Sequence, residues 1–195
     1  MPPVTVPPEA LREFPDFRSF YDWLETHHDS APEVWIRIFR KGTGKPTISP
    51  VEAIDAILCW GWIDGIRKSW DDESFVQRYC PRRPKSVWSQ INRDNVARLT
   101  EAGLMTVHGQ KQVDLAKADG RWDAAYKTTM APPDDLLAAI ADNPAAQETF
   151  ARLTAQNRFA LTFRLNSLKT EAGRKKKIAA FVDMLSRGET IYPQG

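Results

Sequence analysis

Residues 62–80 restrict the possible folds of this 195-residue chain more than any other segment. The runs WIDGIRKSW and FVQRYC are rich in branched and aromatic residues, and the acidic turn DDES separates them. Two strand-like runs joined by a short polar turn predict an antiparallel hairpin. The run VWIRIFRK at 34–41 predicts a third strand of the same kind. We therefore expect a small antiparallel sheet of about three strands.

The segments around this sheet have the residue spacing of helices. Asp16 can cap a helix whose apolar residues recur every three or four positions. Ser49-Pro50-Val51-Glu52 is a capping box that begins a second helix. After the hairpin the chain becomes mostly helical, and Asp94 can cap the next helix. Together these patterns predict an α+β fold in which helices cover the sheet.

Pro132-Pro133 marks the clearest boundary in the chain. We expect a flexible N-terminal arm at residues 1–15, an α+β domain at 16–131 and a C-terminal helical module at 132–195. In that module, helical spacing covers 134–141, 144–154 and 157–187, with a break near 170–173 in the last stretch.

Export and membrane signals are not evident in the sequence. The proline-rich start has no basic residues followed by an apolar stretch, so it does not resemble a secretory signal. No apolar run is long enough to cross a bilayer. The two cysteines do not form a disulfide framework, which is typical of a reducing compartment. A cytoplasmic location is therefore expected.

The segment LCWGWIDG places one carboxylate among large aromatic residues. Trp60 and Trp62 can simply fill the core, because aromatic side chains contribute much of the buried area of a protein. Asp64 must instead reach solvent or a cation, since an unpaired buried charge is costly. Arg82 and Arg83 follow the second hairpin strand and are the candidate partners. A buried Asp–Arg pair without a chemical role remains one alternative.

The segment PRRPKSVWSQIN has an unusual density of hydrogen-bond donors. Its side chains can converge on one anion, and its tryptophan can stack on a planar ligand or a guanidinium group. A solvated basic loop that leads into a capped helix is an equal alternative. With LCWGWIDG it suggests an aromatic-walled cleft. The candidate ligand-binding residues are Trp60, Trp62, Asp64, Arg82, Arg83, Ser86, Trp88, Ser89 and Asn92.

Other motifs predict less chemistry. KGTGKP at 41–46 lacks the spacing of a phosphate-binding loop and predicts a hairpin turn. The histidines and cysteines have no metal-ligand spacing, so no metal and no cofactor is expected. The run Arg174-Lys175-Lys176-Lys177 can contact nucleic acid or a protein, although such runs usually form a solvated helix face. The formal net charge of +2 argues against strong non-specific binding of nucleic acid.

Five segments together resemble the bacterial YdeI/OmpD-associated proteins, also called bacteriocin-protection proteins. They are WLETHH, VWIRIFRKGTGKPTISPVEAIDAILCWGWIDG, QRYCPRRPKSVWSQIN, EAGLMTVHGQKQVDLAKADGRW and RLNSLKTEAGRKKKIAAFVDMLSRGE, which cover nearly the whole chain. The resemblance implies a link to resistance against cationic antimicrobial peptides and to an outer-membrane porin. It implies no established catalytic residues.

The leading interpretation is a non-catalytic cytoplasmic protein that binds a small anionic or aromatic ligand and is connected with stress or peptide resistance. Arginines would hold the anion, tryptophans would form the pocket wall, and Asp64 would orient an arginine or accept a ligand donor. One alternative is an enzyme that uses Asp64 and Arg83 for acid–base or transfer chemistry. Another is a protein that docks nucleic acid or a protein through its basic C-terminal helix. The sequence leaves the ligand and the oligomeric state open.

Overall fold

The computed structural model describes residues 5–127 and 131–194. It divides into an N-terminal unit, residues 1–126, and a C-terminal unit, residues 127–195, each with its own apolar core. The strands are Leu11–Arg12 (β1), Val34–Phe39 (β2), Trp62–Ser69 (β3) and Ser74–Pro81 (β4). The helices are Phe17–His27 (α1), Pro50–Cys59 (α2), Gln90–Glu101 (α3), Val107–Ala118 (α4), Asp134–Ala141 (α5), Pro144–Ala151 (α6), Ala155–Asn166 (α7) and Glu171–Ser186 (α8). Within the described ranges, no helix combines the length and the apolar character that a membrane span requires.

The N-terminal unit is built on one mixed sheet with the strand order β1-β2-β4-β3. β3 and β4 form the predicted hairpin, and β2 pairs antiparallel with β4. The α+β class is therefore confirmed. The prediction of about three antiparallel strands is incomplete, because Leu11 and Arg12 pair with β2 in parallel, within the segment that we expected to be a flexible arm. A strand of two residues is too short to show an alternating pattern in the sequence.

The connection from β2 to α2 contains KGTGKP. The predicted hairpin turn is wrong there, because β2 pairs with the distant strand β4 and the chain continues into a helix. The predicted capping box of that helix is confirmed. The Glu52 N–H donates to Ser49 Oγ at 3.2 Å, and the Ser49 N–H donates to Glu52 Oε2 at 2.8 Å. Two donors at the start of α2 are thereby satisfied.

The caps of α1 and α3 differ in how well the sequence predicts them. Asp16 caps α1 as predicted, since it accepts a hydrogen bond from the Ser19 N–H at 2.8 Å. The Asp94 cap is wrong: α3 begins five residues earlier, and Ser89 caps it by accepting from the Asn92 N–H at 3.2 Å. Ser and Asp are nearly equal as N-caps, so the choice between them depends on the tertiary path of the chain.

α4 packs closely against the C-terminal end of α2. A Cβ atom on Gly109 would lie 2.3 Å from the carbonyl oxygen of Cys59, so the two backbones meet where only glycine fits. The Thr106 hydroxyl, at the start of α4, donates to the same oxygen at 2.6 Å. Gly61 connects the end of α2 to β3, and its φ of +76° is in the left-handed region.

The C-terminal unit consists of α5 to α8. Its core includes the fully buried residues Leu136, Leu165 and Leu185. The predicted break in the last helical stretch is confirmed, because α7 ends at Asn166 and α8 begins at Glu171. The second predicted helix of the module is shorter than expected, since α6 ends at Ala151.

Candidate functional site

The three tryptophans of the predicted cleft lie in the apolar core of the N-terminal unit. Trp62 and Trp88 are each 1% exposed, and Trp60 is 8% exposed. The Trp62 indole N–H donates to the carbonyl oxygen of His28 at 3.0 Å. Side chains buried this deeply stabilise the fold through their apolar area and do not form the wall of an open cleft. Contact with a ligand therefore depends on their more accessible neighbours.

Arg82 is the buried member of the arginine pair, and Arg83 is exposed. The Arg82 guanidinium carbon lies 3.6 Å from the centroid of the Trp88 ring, and its Nη1 atom donates to the Val87 carbonyl oxygen at 3.2 Å. Its Nε and Nη2 atoms are buried and have no hydrogen-bond partner in the part of the chain that the structure describes. These two atoms form the edge of a guanidinium group that can donate to both oxygens of a carboxylate.

Asp64 lies half-buried on β3, opposite Tyr79 on β4. Among the described residues it has no ion pair within 4.0 Å, so the predicted contact between Asp64 and an arginine is not formed. Its charge nevertheless acts on Arg82. Burial lowers the pKa of Arg82 to about 10, and the negative charge of Asp64 opposes that shift. The two groups are therefore electrostatic neighbours that do not touch.

Two tyrosines complete this region. Burial, and then the charge of Asp64, raise the pKa of Tyr79, whose hydroxyl is buried without a hydrogen-bond partner among residues 5–127 and 131–194. Burial and Asp64 also raise the pKa of Tyr126, which shares a side-chain hydrogen bond with Ser89. The group that we call the Asp64 corner consists of Asp64, Tyr79, Arg82, Trp88 and Tyr126.

The remaining candidates lie in the loop after β4 and at the start of α3. Ser86 Oγ accepts from the Arg83 N–H at 2.9 Å, and the Ser86 carbonyl oxygen accepts from Arg121 Nη1 at 2.9 Å. Ser89 caps α3, and Asn92 is half-buried in its first turn. Ser86 and Ser89 therefore have clear structural roles in the loop and the cap.

Sequence reasoning did not select Tyr79, Arg121 or Tyr126. Tyr79 has the pattern of an ordinary core residue of a strand, and the other two follow α4 without a recognisable motif. The positive charge of Arg121 contributes to the lowered pKa of Arg82, after burial. Tyr79 reaches Asp64 through the register of the β3–β4 hairpin, whereas the fold brings Arg121 and Tyr126 near Arg82 from a distant part of the chain.

A second polar cluster of the same unit contains His28, His108 and Trp60. The rings of His28 and His108 are 4.0 Å apart between centroids, and Trp60 lies 4.7 Å from His28. His28 Nε2 and Trp60 Nε1 are buried without partners among the described side chains and backbone groups. Two histidines do not make a metal site by themselves. No group of three or more His, Cys, Asp or Glu side chains suited to a metal occurs in the described residues.

The basic run of α8 is partly neutralised within the C-terminal unit. Arg174 donates to both carboxylate oxygens of Asp135, at 2.6 and 2.8 Å. Lys175 Nζ lies 2.7 Å from Glu171 Oε1. These pairs reduce the positive potential that attracts a phosphate backbone, so nucleic-acid binding gains no support from the geometry.

Comparisons with known proteins match the two parts of the chain separately. Residues 12–112, just over half of the chain, match the family described as Domain of unknown function (DUF8412). Residues 129–188 match the family described as Bacteriocin-protection, YdeI or OmpD-Associated. No curated protein and no solved structure gives a significant match. The GWIDG and PRR motifs lie in the first matched region, and the basic run of α8 lies in the second.

Proposed function

Because the chain belongs to the DUF8412 family and its residues 129–188 match the family described as Bacteriocin-protection, YdeI or OmpD-Associated, we propose that it is a binding protein without catalytic activity. Its ligand is a small carboxylate, which the Asp64 corner of the N-terminal unit holds. The protein acts in the cytoplasm, and ligand binding contributes to protection against bacteriocins or to a related stress response.

The open edge of Arg82 is the observation that carries this proposal. Leaving a buried polar group without a partner costs about 1–3 kcal/mol, and more for a charged group. The hydrogen bond from Arg82 to the Val87 carbonyl oxygen and the contact with the face of Trp88 offset part of this cost. The Nε and Nη2 atoms of Arg82 nevertheless have no acceptors among the described residues. Two parallel N–H groups match the two oxygens of a carboxylate, and a bound carboxylate would satisfy both.

Access to Arg82 requires its neighbours to move, since the residue is 7% exposed. Asp64 and Tyr126 are half-buried and act electrostatically on Arg82, and the proposal assigns to them the movement that opens the site. Once displaced, Asp64 can accept a hydrogen bond from the ligand. The preferred ligands therefore carry a hydroxyl or ammonium group next to the carboxylate.

Calorimetric titration with acetate, lactate and glycine tests this proposal. Replacing Arg82→Lys is expected to lower the affinity for all three about tenfold or more, because an ammonium group lacks the two parallel donors. Asp64→Asn is expected to lower the affinity for lactate and glycine more than the affinity for acetate, because acetate has no hydroxyl or ammonium group to donate to Asp64. Arg18→Lys provides the matched control, since Arg18 is an exposed arginine on α1.

A structural role for Arg82 is the competing explanation, with water along its open edge. In that case the wild-type chain binds none of the three carboxylates, or Arg82→Lys binds them as well as the wild type does. Tyr79→Phe gives a second measurement if Arg82→Lys does not fold. It removes a buried hydroxyl group that has no partner among the described residues and that, in this proposal, donates to the bound carboxylate, so the affinity is expected to fall about threefold to tenfold.

A further inference from the structure

A separate cavity of the N-terminal unit lies beside the KGTGKP loop. We call it the loop cavity, and its volume is about 450 Å³. Residues 40–45 line it together with Phe39 and Phe75, and Arg67 of β3 also reaches it. A cavity of this size accommodates a molecule as large as a sugar phosphate. None of these residues belongs to the Asp64 corner.

The loop cavity has an unusual charge for a protein surface. No carboxylate side chain is among its lining residues, whereas four cationic side chains are: Arg40, Lys41, Lys45 and Arg67. Lys45 forms an ion pair with Glu73, which does not line the cavity; the Lys45 Nζ atom lies 2.6 Å from Glu73 Oε2. The other three have no ion pair within 4.0 Å in the described part of the chain.

The partners of two of these three cations are neutral. Arg67 donates from Nε and Nη2 to Gln77 Oε1 at 2.9 and 2.6 Å, and its guanidinium lies 4.7 Å from the Phe75 ring centroid. Arg40 Nη2 donates to the Ser69 hydroxyl at 3.3 Å. Neutral partners orient a cation without cancelling its charge. The repulsion between these like charges is therefore relieved when an anion binds.

The loop backbone adds uncharged donors. Gly42 and Gly44 have φ values of +94° and +70°, and no atom lies within 4 Å of the position that a Cβ would occupy on either. Their N–H groups have no acceptor among residues 5–127 and 131–194. These two N–H groups can therefore donate to an acceptor from outside the chain. The start of α2 does not contribute, because the Ser49–Glu52 capping box already satisfies it.

We propose that the loop cavity binds the phosphate group of a small soluble phosphate ester. Guanidinium, ammonium and backbone N–H groups are the usual donors to phosphate oxygens. Phe39 and Phe75 already have cations over their faces, at 4.9 Å for Lys45 and 4.7 Å for Arg67. The two rings therefore already stack against cations of the cavity, and we take the phosphate as the recognised group.

Calorimetric titration with pyrophosphate and with glucose 6-phosphate tests this site. Arg67→Gln is expected to reduce both affinities about tenfold, because the cavity loses a guanidinium charge that Gln77 orients without neutralising it. Lys41→Gln is expected to reduce them about threefold, because one exposed charge is lost. Lys111→Gln is the matched control, since Lys111 is an exposed lysine on α4 outside the cavity and is expected to change neither affinity.

Three results would overturn the proposal: no binding to the wild-type chain, equal affinities in the wild type, Arg67→Gln and Lys41→Gln, or an equal loss in Lys111→Gln. The proposal would also be overturned if the protein sedimented with phosphatidylglycerol vesicles but had no affinity for the soluble phosphates. The carboxylate proposal is tested independently. Phosphate binding is expected to survive in Arg82→Lys, and carboxylate binding in Arg67→Gln, so either proposal can fail alone.

Discussion

Gly109 determines how closely α4 approaches α2. In Gly109→Ala the new Cβ would lie 2.3 Å from the Cys59 carbonyl oxygen and 2.6 Å from that of Leu58. Alanine gains about 1 kcal/mol in helix propensity over glycine, whereas such a clash with backbone atoms costs about 3 kcal/mol or more. We therefore expect a net loss of about 2 kcal/mol in the free energy of unfolding, measured by urea denaturation.

Gly65→Ala is the control for this substitution. The nearest atom to its Cβ would be the Arg78 carbonyl oxygen at 3.5 Å, which is ordinary contact. We expect its free energy of unfolding to change by less than about 0.5 kcal/mol. A Gly109→Ala variant as stable as the wild type would mean that α4 does not approach α2 this closely.

At the level of single elements, the capping box of α2 is the clearest local device. Ser49→Ala removes the side-chain acceptor of the Glu52 N–H, and we expect a loss of about 1 kcal/mol in the free energy of unfolding. Thermal and urea denaturation measure it. Ser30→Ala is the control, because the Ser30 hydroxyl is exposed and makes only a long contact of 3.5 Å. Equal stability of both variants would show that the box contributes little.

α8 illustrates how an element changes the meaning of a charge pattern. Its four consecutive cationic residues indicate a basic surface in the sequence, yet Arg174 and Lys175 each have a carboxylate partner in the C-terminal unit. Lys177 lies 5.4 Å from the Phe181 ring centroid. In the loop cavity, by contrast, the fold adds Arg67 of β3 to the adjacent pair Arg40 and Lys41, and none of the three has an ion pair among the described residues.

At the scale of the whole molecule, the two apolar cores share no residue among those that the structure describes. Leu185→Ala, at a fully buried position of the second core, is expected to lower the stability of the C-terminal unit by about 2–5 kcal/mol. Hydrogen exchange followed by mass spectrometry is expected to show faster exchange in α5 to α8 and unchanged protection in β2 and β4. Leu137→Ala, at an exposed position of the same unit, is the control. Equal loss of protection in both units would contradict two separate cores.

Local patterns were sufficient for the hairpin of β3 and β4 and for the caps at Asp16 and Ser49. They also gave a family resemblance over nearly the whole chain, which a family match supports at residues 129–188, whereas residues 12–112 match another family. The hairpin and the caps depend on residues within a few positions of one another, so a short window of sequence contains their physical cause. The strand β1 and the Ser89 cap were missed for a related reason. At both places the local signal is weak, and the path of the chain selects the outcome.

Long-range packing decided what the tryptophans and charges do. An indole has the same local sequence whether it fills a core or forms the wall of a cleft, and burial of Trp60, Trp62 and Trp88 follows from the helices packed over the sheet. The environment of Asp64 likewise depends on Tyr79 and Arg82, at the end of β4, and on Tyr126, which follows α4. Burial and electrostatic fields are sums over neighbours in space, and only the folded chain specifies which neighbours those are.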